Sequence, residues 1–168
     1  MHHRNERHSL TTEAPLPFES RTGPCPCTVD VMVLLHREDG RVLLVRRDGP
    51  LVPPGGVLRY GEPVTARALR EVRRQTGVGV DPDDLEFCHL VHRRTTGGQG
   101  RLAVVFTAQR WVGRLRSRED SGRAAMVWAD PARPPADRTA HTAALLDAFN
   151  AGALLSTDDW ATRAGGAA

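Results

Sequence analysis

The chain has 168 residues, 40% hydrophobic and 26% charged, the balance of a single soluble globular domain with a modest core. No apolar run approaches the roughly 20 residues that span a bilayer, and the N-terminus lacks the apolar stretch of a secretory leader, so the expected compartment is the cytoplasm. The net charge of +3 is carried by arginine alone, with no lysine, and it permits an anionic ligand without requiring one. The arginines are scattered and no aromatic ladder accompanies them, which argues against a nucleic-acid platform. Cys25, Cys27 and Cys88 cannot build a disulfide framework and read as reduced thiols.

Residues 1–24 are polar, contain Pro15, Pro17 and Pro24, and show no sustained period. They read as a flexible tail, with His2, His3 and His8 as solvated side chains of it. The domain is expected over residues 25–162. Val29, Val31, Val33 and Leu35 alternate with their neighbours and predict a strand with one apolar face. Glu38-Asp39-Gly40 is a turn, and Arg41 to Arg47 is a second β-rich run, so the two are expected to pair as a hairpin. Pro53-Pro54-Gly55-Gly56 interrupts regular structure. A helix follows, with Pro63 in its first turn, an apolar stripe of Val64, Ala68, Leu69 and Val72, and Gly77 as a left-handed stop. Leu85 to Arg93 and Leu102 to Trp111 read as strands joined by a loop at residues 95–100. Ala125 to Ala129 reads as a short strand, and His141 to Gly152 holds a second helix. Residues 163–168 are expected to fray. Strands on both sides of a long helix, with a closing helix, predict an α/β fold with a mixed sheet covered by helices. His89 and His92 fall on opposite faces of their strand, and Cys88 reads as a small packed side chain.

The informative stretch is residues 55–78, GGVLRYGEPVTARALREVRRQTGV. Gly56, Glu62, Arg70, Glu71, Val72, Gly77 and Val78 fall at the fixed spacing of the Nudix box, and the stretch resembles that motif. The resemblance extends over nearly all of residues 28–160, including Trp128-Ala129-Asp130-Pro131 and the segment Leu155 to Trp160. It implies the Nudix α/β/α sandwich around a mixed sheet. It also implies the usual substrate class, a nucleoside diphosphate linked to another group. In that resemblance Gly55, Gly56, Glu62, Arg70 and Gly77 are structural, with Arg70 pinning Glu62.

Positions 71, 74 and 75 are spaced i, i+3 and i+4 and share one helix face. Three glutamates there would hold magnesium through hard oxygen ligands, and the metal would neutralise diphosphate charge and activate a water. This chain departs from the pattern: positions 74 and 75 are Arg74 and Gln75, and Glu71 alone remains. If all groups are ionised, the face carries about zero charge where the family carries −3. The expected metal ligands are Glu71, Gln75 and Glu119, the last in the loop after the long strand, with Mg2+ held weakly. Glu71 and Glu119 are the catalytic candidates. Arg74, Arg46 and Arg59, with Arg47 beside them, are the candidates for gripping phosphate. Many members of the family it resembles have a longer loop where this chain has Asp48-Gly49-Pro50-Leu51, and the comparison implies a more open pocket or a smaller ligand.

Three functions fit these residues. The first is an impaired or specialised Nudix hydrolase acting on an X-linked nucleoside diphosphate. The second is a non-catalytic module that binds a nucleotide or anionic metabolite, with Arg74 replacing the metal's charge. The third is a Nudix fold recruited to non-hydrolytic acid–base chemistry through Glu71, Glu119 or a histidine.

Overall fold

The structure is a computed structural model that describes residues 26–46, 49–116, 119–120, 123–124 and 126–160. The expected tail, Cys25, Arg47 and the expected frayed end lie outside the described residues. Among the described residues, nine strands and two helices follow one another. They are β1 (Cys27–Leu35), β2 (Val42–Val45), β3 (Gly55–Val57), α1 (Val64–Thr76), β4 (Glu86–Arg94), β5 (Gly100–Ala108), β6 (Glu119–Asp120), β7 (Arg123–Ala124), β8 (Met126–Ala129), α2 (Ala140–Asn150) and β9 (Leu155–Asp158). A 3-10 turn over Pro82–Asp84 leads into β4, and the Asp81 carboxylate caps it by accepting from the Asp83 N–H at 3.0 Å.

The main sheet has the order β3-β1-β5-β4-β9. It is mixed: β1 runs parallel to β5, β4 parallel to β9, and the β1–β3 and β4–β5 pairs are antiparallel. Alternation along β1 divides the core. Val31, Val33 and Leu35 pack with Ala68 and Val72 of α1, whereas Met32 and Leu34 pack with Leu145 and Leu146 of α2. One helix therefore covers each face, giving the α/β/α sandwich. Each fully buried leucine contributes about 1.5–3 kcal/mol of transfer free energy to this arrangement. No helix among the described residues is long and apolar enough to cross a membrane.

The expected β1–β2 hairpin is corrected. The turn is present, with the Gly40 N–H donating to Arg37 O and the Arg37 N–H to Arg41 O, but only one bridge, His36 to Val42, joins the strands. β2 leaves the ladder and pairs antiparallel with β8, Val42 opposite Ala129. All four β2 residues are buried, so the strand is covered on both faces and an outer hairpin position would not satisfy it. Two other expectations change. Gly55 and Gly56, read as a break, form β3 against β1. The loop holding Glu119 contains a short pair, β6 with β7.

The histidines of β4 are structural. His89 is fully buried, and its Nδ1 lies 2.6 Å from Ala153 O and its Nε2 2.9 Å from Ser156 Oγ. A carbonyl only accepts, so Nδ1 carries a proton and donates to it, while Nε2 shares a hydrogen bond with the hydroxyl. This tie holds β9 on the sheet. His92 packs against the Trp160 ring with centroids 4.6 Å apart. Cys88 packs against the α2-side core, and burial pushes its thiol up to about 11.

Candidate functional site

α1 positions the site. Pro63 precedes it in extended geometry, and Gly77 ends it at φ 85°, a left-handed conformation that glycine adopts without strain. The buried side of the helix carries Arg67, Ala68, Glu71, Val72 and Thr76. The loop before it is clamped by the Arg70–Glu62 ion pair, and Glu62 Oε2 also accepts from the Arg59 N–H at 3.3 Å. Arg70 beside Glu62 holds that carboxyl below the usual carboxylate range.

Close approach requires glycine at the first position of β3 and gives an arginine room at the second. A Cβ on Gly55 would lie 2.2 Å from the Val31 carbonyl oxygen, a backbone atom that cannot yield. A Cβ on Gly56 would lie 2.7 Å from Arg67 Nη2. The missing side chain at Gly56 is thus the space in which the Arg67 guanidinium lies.

At the centre is Glu71, only 2% exposed. Its Oε1 pairs with Arg67 Nη1 at 2.9 Å. Its Oε2 accepts from Arg74 Nε at 3.0 Å, Arg74 Nη2 at 2.5 Å and Gln75 Nε2 at 2.7 Å. Burial pushes the carboxyl up, but the hydrogen bonds from Arg74 and Gln75 and the charges of Arg74 and Arg67 outweigh it, and the group stays below its ordinary range. Gln75 spans helix and strand. Its Nε2 also donates to Gly55 O at 2.6 Å, and its Oε1 faces the Gly55 N–H at 3.4 Å.

Arg67 is the residue that sequence reasoning missed. It sits four positions before Glu71 on the same helix face, so the i, i+4 spacing was a usable signal. With it, the face carries two guanidinium groups and one carboxylate, a net +1 rather than about zero. Arg74 points inward to Glu71, with its side chain 53% exposed. Arg46 is tied elsewhere, ion-paired with Asp137 and donating from Nη1 to Gly49 O at 3.1 Å. Arg59 is exposed. The backbone of Glu119 lies in β6, and its side chain is outside the described atoms.

Magnesium needs near-octahedral oxygen ligands at about 2.0–2.1 Å, usually one or two carboxylates plus waters and phosphates. Among the described residues no group of three or more His, Cys, Asp or Glu is placed to hold a metal ion. The one carboxylate of the α1 face already accepts from three side chains, and the Gln75 oxygen is turned to backbone. The described residues, as arranged, do not fit the ion.

Comparison with known proteins identifies the family and the fold. The family model described as NUDIX domain matches residues 27–149. A protein described as MutT-like, from Streptomyces ambofaciens, is 35% identical over 115 residues, covering 67% of this chain and 70% of its own. Among solved structures, the MutT NUDIX hydrolase of Burkholderia pseudomallei superposes with a TM-score of 0.62 at 24% identity, covering 73% of this chain and 97% of that one. A UDP-X diphosphatase superposes with a TM-score of 0.56 at 19% identity, covering 82% of this chain and 70% of that one. Matched over most of its length, with the loop–helix–loop frame in place around a changed set of charges, this chain belongs to the Nudix superfamily.

Proposed function

We propose that this chain binds a small diphosphate-containing ligand, of the nucleoside-diphosphate-linked kind, beside the C-terminal half of α1, and hydrolyses it poorly. The observation that carries this reading is the pair of guanidinium groups, Arg67 and Arg74, on the single carboxylate of Glu71. An acidic face needs a cation before it accepts a phosphate, whereas a face with surplus positive charge does not. Arg74 uses Nε and Nη2 toward Glu71, which leaves Nη1 to donate to a ligand oxygen. Arg59 and Arg46 are the further phosphate contacts in this reading, Arg46 after release from Asp137. Hydrolysis is weak because Glu71, held ionised and fully hydrogen-bonded, is a poor proton acceptor. The ligand class rests on the superfamily and on the neighbour described as a UDP-X diphosphatase.

A second reading keeps magnesium-dependent hydrolysis, with Glu71 and Glu119 as ligands and Gln75 as a weak third. The intact Glu62–Arg70 clamp and the glycine frame favour it. One experiment separates the two. Nucleoside diphosphates and uncharged nucleosides are titrated calorimetrically in EDTA, and phosphate or monophosphate release from a panel of nucleotide sugars and dinucleotides is followed with magnesium. Metal-free binding of diphosphates, weakened at least about tenfold by Arg74→Ala, supports the first reading. Diphosphates binding no better than nucleosides, with magnesium-dependent turnover comparable to other hydrolases of the fold, overturns it.

A further inference from the structure

At the far edge of the sheet from β3, a cavity of about 560 Å³ opens where the β4–β5 hairpin meets the start of α2 and the end of β9. Arg93, Arg94, Thr96, Gly98, His141 and Asp159 line it. β4 is three strands from β3 in the sheet order, about 14 Å at ordinary strand spacing. Arg93 shares the face of Val91, which packs in the α2-side core, so its side chain lies on the face opposite α1. The cavity is therefore separate from the Glu71 cleft.

We propose that this cavity is an oxyanion-binding site organised by Arg93. Asp30, on β1, is only 5% exposed. Both of its oxygens accept from Arg101, Oδ1 from Nη2 at 2.6 Å and Oδ2 from Nε. Arg93 reaches the same carboxylate only at 3.8 Å, and its side chain is 18% exposed. Two guanidinium groups thus face one carboxylate, and Arg101 holds the close, two-bonded position on it. The Arg93 side chain is half-buried and, beyond this long ion pair, donates no hydrogen bond among the described residues, although its guanidinium carries five N–H donors. A planar fork so placed keeps donors for a ligand, and a phosphate or carboxylate supplies two parallel acceptors.

The rest of the cavity suits the same ligand. Arg94 lies over the Trp160 ring at 5.8 Å, and a Cβ on Gly98 would be 3.6 Å from its Nη2, so the hairpin leaves that guanidinium room beside the backbone. The hairpin tip is fixed by the Gly98 N–H donating to Thr95 O at 2.8 Å and the Thr95 N–H to Gln99 O at 2.9 Å. Asp159 is the one carboxylate in the lining against two arginines.

The test is a nitrogen-15 chemical-shift titration of the full chain in EDTA with pyrophosphate. Saturable shifts are expected at Thr96, Gly98 and His141. Arg93→Met should weaken them at least tenfold, and Arg74→Ala should leave them unchanged. Arg94→Met is the second variant should Arg93→Met fail to fold, and it should weaken the same shifts. A parallel titration with citrate identifies the group: tighter pyrophosphate marks a phosphate, tighter citrate a carboxylate, and either supports the site. No saturable shift from either probe, or an Arg93→Met protein that titrates like its parent, overturns it. Shifts at Gly55 and Gln75 that depend on Arg74 would, in that event, leave the box reading standing.

Discussion

Restoring the acids should restore the metal, and the size of the effect follows from the charges on α1. Arg74→Glu with Gln75→Glu changes the face by −3, from net +1 to net −2 with Arg67 and Glu71 in place. A unit charge 4 Å from a divalent ion interacts by about 8 kcal/mol at an effective dielectric near 20, and by about 2 kcal/mol in bulk water. The Arg74 side chain is 53% exposed, so solvent places each charge near the lower figure. Three units then favour the ion by about 6 kcal/mol, of which repulsion among three adjacent carboxylates takes back a part. A net gain of about 3–4 kcal/mol is expected, a hundredfold to a thousandfold in affinity. Without metal the double variant should be less stable by about 1–3 kcal/mol, because Glu71 loses its bonds from Arg74 and Gln75. The assay is calorimetric titration with magnesium chloride near 0.15 M salt, with thermal melts alongside. The parent should show no tight site, and the double variant should bind and regain its lost stability. Micromolar binding by the parent, or no gain in the variant, refutes the electrostatic reasoning.

Glu71 makes stability pH-dependent. Its folded pKa lies below the ordinary value of 4.5, so its contribution is full above that pH and is lost as pH falls through the folded value. Melts of the parent should therefore show an acid-side loss that Glu71→Gln diminishes; identical acid limbs would contradict this. Gly55→Ala should cost more than about 3 kcal/mol, read by denaturant unfolding, since its Cβ would lie 2.2 Å from the Val31 carbonyl oxygen. Leu146→Ala, at a fully buried position between α2 and the sheet, should cost about 2–5 kcal/mol in the same assay. Leu155→Ala, at a position 60% exposed, is the control and should stay within about 0.5 kcal/mol.

Much of the frame was legible because its signals are local. Alternation in β1, the stripe of α1, the stop at Gly77 and the spacing from Gly56 to Val78 depend on a few neighbouring residues and on fixed backbone periods. The same local geometry placed positions 71, 74 and 75 on one face, and the resemblance to the Nudix box marked two acids as missing there. What the tertiary structure decided involves residues far apart in sequence. β2 and β8 lie more than 80 residues apart, and their pairing depends on which buried strand edge each can satisfy, which no local period encodes. The reason for Gly55 is a carbonyl on β1, and the space beside Gly56 is taken by a guanidinium from α1. Gln75, read as a weak metal ligand from its residue type, acts as a brace because β3 brings the Gly55 backbone within reach of its amide. Arg93 was one of many arginines until folding set it beside an aspartate whose close, two-bonded partner is Arg101 on the neighbouring strand. Sequence alone determined which groups carry charge and which helix face they share; only the packed sheet decided which of those charges pair closely and which only at a distance, because a salt bridge forms between surfaces that meet in space.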